Sequence, residues 1–67
     1  MKDKILEVLK ESPGGRTGRE EIIAKTGGTD QEVSAALAWL ANRSLIDKVS
    51  FGIFEITDKG IEFLERS

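Results

Sequence analysis

Sixty-seven residues lie near the lower limit for a chain that must bury its own core, and 39% apolar with 33% charged residues is a globular balance, not a disordered one. The chain has no cysteine and no histidine, which removes disulfides, the common zinc sites and thiol chemistry. Its net charge of −2 offers no basic surplus, so a nucleic-acid partner would have to be held by cations gathered on one face.

Residues 1–11 place Ile5, Leu6, Val8 and Leu9 on one side of a helix, and Lys2, Asp3, Lys4, Glu7, Lys10 and Glu11 on the other. Acids stand here in place of the apolar centre of a signal peptide, and no apolar run reaches membrane-spanning length, so a soluble, cytoplasmic protein is expected. Ser12-Pro13-Gly14-Gly15 ends the helix, because proline cannot continue the hydrogen-bond ladder and two glycines turn freely. These glycines read as a turn; a phosphate-cradling loop would need a following Gly-Lys-Ser/Thr.

Arg16-Thr17 fits a short bridging strand. Thr17-x-x-Glu20 has the spacing of a capping box and predicts that Thr17 starts a second helix, with Ile22, Ile23 and Ala24 as its core contacts. Thr26-Gly27-Gly28 stops that helix, Gly27 being the natural left-handed cap. Thr29-x-x-Glu32 is a further capping box and opens a helix over 30–42. On it Val33, Ala36, Leu37, Leu40 and Ala41 form one apolar stripe. The opposite side carries Gln31, Ser34, Ala35 and Ala38, all small or uncharged, with Trp39 on the flank. Two capped helices joined by a tight glycine turn describe a helix-turn-helix.

Beyond Arg43-Ser44 the pattern becomes extended. Residues 45–50 and 53–56 are β-rich and separated by Phe51-Gly52, which predicts a tight hairpin. Thr57-Asp58-Lys59-Gly60 caps a last helix through Arg66, with Ile61 and Leu64 facing inward and Phe63 beside them. No repeat, low-complexity segment or linker interrupts residues 1–67, so a single domain is expected.

In this order the chain resembles the winged helix-turn-helix superfamily, and the compact prokaryotic regulators of the MarR, ArsR and PadR type in particular. The resemblance is carried by Ile22–Gly27 (IIAKTG), by Val33-Ser34 with Leu37 and Leu40, by Leu45-Ile46 entering the wing, and by Thr57-Asp58-Lys59-Gly60, similar to the "LT-x-x-G" that starts the closing helix. It implies an α+β, mainly α fold: a three-helix core, a short β-hairpin wing and a C-terminal helix. There are three departures. Gly28 stands where relatives place an apolar plug, which predicts looser packing in the turn. Ser44 replaces the usual glycine, so Asn42, Arg43 or Ser44 must supply the turn at some cost. The wing tip, Ser50-Phe51-Gly52, has no cation with which to hold a minor groove.

The resemblance implies a DNA-binding transcriptional regulator whose 30–42 helix enters the major groove. Carried over to this chain, the residues facing base edges are Gln31, Ser34, Ala35 and Ala38. Gln31 suits a bidentate pair with adenine, and Ala35 or Ala38 a thymine methyl. Thr29 and the helix N-terminal N–H groups suit a phosphate. Arg16, Arg19, Lys25, Arg43 and Lys48 are the cations available to the DNA backbone. Asp30 and Glu32 lie at the same end; Glu32 is expected to serve the cap, and Asp30 reads either way.

The alternative is a winged-helix module for protein–protein interaction, with dimerisation foremost, and without DNA. Its support is the small Ala35–Ala38 surface beside Trp39, the acidic balance and the uncharged wing tip. Trp39 either covers the joint between the second helix and the wing or stands outside as an interface anchor. The closing helix, with Phe63 on its side, offers pairing with a symmetry mate; a homodimer would supply two half-sites. An enzyme is not expected: the one adjacent acidic pair, Glu20-Glu21, points about 100° apart on a helix, and the chain leaves little room for a pocket. No metal and no cofactor are expected either.

Overall fold

The structure, a computed structural model, describes residues 1–66. Helix α1 (Lys2–Glu11) buries Ile5, Leu6 and Leu9, the apolar side read from the sequence. It ends at Ser12, whose hydroxyl donates to the Val8 carbonyl at 2.7 Å, and Pro13–Gly15 form one tight turn. Strand β1 (Arg16–Gly18) leads into α2 (Arg19–Thr26), Gly27 (φ 73°) supplies the left-handed stop, and α3 (Asp30–Asn42) follows. Strands β2 (Ile46–Ser50) and β3 (Ile53–Ile56) form the hairpin, and α4 (Asp58–Arg66) follows it.

The sheet is antiparallel in the order β1-β3-β2, so β3 is flanked on both sides. A bulge between Lys48 and Ser50 sharpens the hairpin just before its tip, as an extra residue on one strand does. The core is formed by Ile5, Leu6, Leu9, Ile22, Val33, Ala36, Leu37, Leu40, Leu45 and Ile46. Helix α1 touches α2, α3, α4 and the sheet, while α3 rests on β2 and leaves its other side to solvent.

Several local expectations fail for identifiable reasons. Thr17 does not cap α2: it is spent in β1 opposite Phe54, and Gly18 becomes the N-cap with no side-chain hydrogen bond. Ala24 and Ala41 are exposed, because α2 and α3 bury narrower stripes than their alanines suggested. Gly28 does not loosen the turn, since the space a side chain would take there is filled by the Met1 methyl, 2.5 Å from an ideal Cβ, and by Val33. Of the three candidates for closing α3, Ser44 turns with φ 61°.

Candidate nucleic-acid interface

The start of α3 is fixed by the capping box the sequence announced. The Glu32 N–H donates to the Thr29 hydroxyl at 3.1 Å, and the Thr29 N–H donates back to the Glu32 carboxylate at 3.0 Å. The Thr29 backbone N–H, and after it the Thr29 side chain, hold the Glu32 carboxyl below its ordinary value. The Thr29 and Glu32 N–H groups are thus taken within the box, as its spacing implied.

Further along α3 the apolar stripe faces in, and Gln31, Ser34, Ala35 and Ala38 all face out. They divide into two sides. Ser34 and Ala38 line an open concavity between α3 and the wing, together with Arg19, Lys48, Phe51 and Phe54. Ala35 belongs instead to a concavity shared with Met1, Trp39 and Phe63. Gln31 lies one turn before both and is exposed.

Arg19 joins the elements that border the first concavity. Its backbone N–H donates to the Gly52 carbonyl at the wing tip at 2.9 Å. Its guanidinium donates to the Asp30 carbonyl at 3.1 Å, to the Ser34 hydroxyl, and closes an ion pair with the Asp30 carboxylate. One residue thus ties both the wing and the outward helix to the first turn of α2. Asp30, which reads either way from the sequence, engages a cation of its own chain.

The remaining cations are spread out. Arg16 pairs with Glu55 across β1 and β3 at 3.0 Å. Lys25 pairs with Glu21 one turn back along α2 at 3.4 Å. Arg43 stacks over the Trp39 ring, 3.9 Å from its centroid, and Lys2 lies 4.2 Å from the same centroid. Lys48 sits on the wing facing the concavity, 5.4 Å from the centre of the Phe51 ring. Of the five cations assigned to the DNA backbone, only Arg19 and Lys48 border the concavity beside α3.

Trp39 is half-buried and meets Phe63 edge-to-face, ring centres 6.3 Å apart. It therefore covers the joint between α3, α4 and the first turn of α1, not the joint with the wing. Neither Arg19's double role nor the 94% exposure of Phe51 was foreseen. The first depends on contacts with Asp30 and Ser34, eleven and fifteen residues on, and with Gly52 in the wing, more distant still. The second had a signal, an aromatic at a hairpin tip between serine and glycine.

Comparison with known proteins gives a fold and little more. No family model matches the chain, and no curated protein does. Among solved structures it is similar to the crystal structure of Sco5413, a MarR family transcriptional regulator from Streptomyces coelicolor, with a TM-score of 0.89 at 23% identity, over 97% of this chain and 48% of that one. The chain spans about half the length of that regulator, and over that span it has the same winged helix-turn-helix fold.

Proposed function

We propose that this chain is a duplex-DNA-binding module of a transcriptional regulator, with α3 as the helix that enters the major groove. The observation that carries the reading is the placement of Gln31, Ser34 and Ala38 on an open side of α3, bordered by Arg19 and Lys48 and continued by the wing. Gln31 reads adenine, Ser34 accepts or donates to a base edge, and Ala38 meets a thymine methyl. Lys48 serves a phosphate, and Arg19 does so on leaving Asp30. Two copies of the chain, as a homodimer, would present two such helices to a two-fold site.

The test is titration with mixed-sequence duplex at about 50 mM and about 200 mM salt, where binding through several phosphates weakens steeply. Gln31→Ala should relax sequence preference, whereas Lys48→Ala should weaken all sequences alike. The second reading, a protein-interaction module, is favoured by the intramolecular partners of Arg16, Lys25 and Arg43, which leave few cations for DNA. No retention of duplex at the lower salt, with self-association seen by light scattering, would select it.

A further inference from the structure

The wing tip lacks a cation but not a side chain. Phe51 is 94% exposed, the most exposed large apolar residue among those described. The fold does not require an aromatic there, since the Gly52 turn (φ 72°) and the bulge shape the tip. Nor is the tip loose: the Gly52 carbonyl is held by the Arg19 N–H. A phenyl ring left in water on a braced support is a contact waiting for a surface.

Its surroundings say which surface. Phe51 borders the same concavity as Ser34 and Ala38, so a rod lying along the outward side of α3 also meets the ring. Lys48, on the face of β2 turned toward that concavity, stands beside the ring. Asp47, its neighbour in the strand, lies opposite Glu55 and points to the other face, so the acids of the hairpin are turned away. Glu20 borders the ring on its α2 side, and Lys48 stands on the side toward α3. An apolar edge with a cation on that side, next to a helix reading a major groove, complements the adjacent minor groove of a duplex. Apolar wedges open base steps there while phosphates on either wall take positive charge. A protein partner would account for the ring, but the cation beside it and the small polar side of α3 across the concavity suit a duplex.

We propose that Phe51 is the wing's DNA contact: an apolar wedge that enters the minor groove beside the segment read by α3 and favours a flexible pyrimidine–purine step there. The inference rests on the proposed DNA binding and deepens it, replacing charge with shape and deformability at the wing.

The experiment selects from a pool of randomised duplexes with the wild-type chain, Phe51→Ala, Phe51→Leu and Lys48→Ala, and measures salt dependence on the selected duplexes. The wild type should enrich TA or CA/TG steps at a fixed distance from the bases that respond to Gln31→Ala. Phe51→Ala should lose that enrichment and about tenfold in affinity with its salt slope unchanged. Phe51→Leu should keep most of both, and Lys48→Ala should keep the step preference and lower the slope by about one. Wild-type binding that Phe51→Ala leaves unaltered in affinity and in selected sequence overturns the wedge alone. A wild-type chain that retains no duplex overturns the wedge together with the DNA-binding reading. Since Phe51 packs on nothing in the core, the variants should unfold at the wild-type urea midpoint.

Discussion

The guanidinium of Arg19 is closed on the carboxylate of Asp30, so a cation beside the start of α3 is neutralised by an acid on α3 itself. The pair is open to solvent, 32% and 74% exposed on the two side chains, so it contributes only about 0–1 kcal/mol to stability. Its consequence is for binding. Asp30→Asn should leave the urea midpoint nearly unchanged, tighten binding to duplex, and steepen the salt slope by about one phosphate's worth, roughly 0.9. Fluorescence anisotropy at several salt concentrations measures this. An unchanged slope would show that Arg19 stays on Ser34 and never reaches a phosphate.

Helix and hairpin positions were legible because they rest on local chemistry. Thr29 and Glu32 are three residues apart, Gly27 follows its helix directly, and Phe51-Gly52 separates two β-rich runs. What was not legible depends on distant parts of the chain. Thr17 has a capping box's spacing, yet pairing with β3 uses its backbone before a helix can. Periodicity puts Trp39 on a flank of α3, but only the packing of α4 and α1 decides which flank is covered. The site was half legible for the same reason: the outward stripe of α3 follows from periodicity, while the partners of its cations are set by tertiary structure.

The Thr29–Glu32 box makes a testable link between helix start and pH. Thr29→Ala removes the acceptor for the Glu32 N–H and should cost about 1 kcal/mol. Glu32 is held below its ordinary value of 4.5, so the stabilisation by its charged form is complete above that pH and is lost as pH falls through the lowered folded value. Urea midpoints of the wild type and Glu32→Gln should therefore differ at neutral pH and converge in acid. Parallel curves throughout the acid range would mean that the carboxylate's charge is not what the cap uses.

Gly60 is buried where α4 crosses the entrance to the wing. A Cβ there would overlap the Leu45 carbonyl oxygen and come within 2.7 Å of an Ile56 methylene. The backbone has little freedom to yield, since the Thr57 N–H donates to that same Leu45 carbonyl and the Thr57 hydroxyl to the Ser44 carbonyl at 2.7 Å. Alanine's helix preference returns about 1 kcal/mol, whereas overpacking against backbone costs about 1–3 kcal/mol. Gly60→Ala should accordingly destabilise, and Lys59→Ala at an exposed neighbour should not. Equal midpoints for the two variants would show that α4 can shift without loss.

Ser44 occupies the left-handed region with φ 61°, a conformation that costs a residue with a Cβ about 1–2 kcal/mol. Its main chain is what the fold uses: the N–H donates to the Ala41 carbonyl at 3.0 Å, and its carbonyl accepts from the Thr57 hydroxyl. Glycine keeps both bonds and removes the steric cost, but has more freedom to lose from the unfolded chain, about 0.5–1 kcal/mol. The balance favours the variant, so Ser44→Gly should raise the urea midpoint by the equivalent of about 0.5–1 kcal/mol. Ser44→Val, β-branched at the same φ, should lower it. Because the end of α3 and the entry to the wing keep their hydrogen bonds in Ser44→Gly, its affinity for duplex should equal that of the wild type, and a loss would mean that the strained turn sets the angle between α3 and the wing.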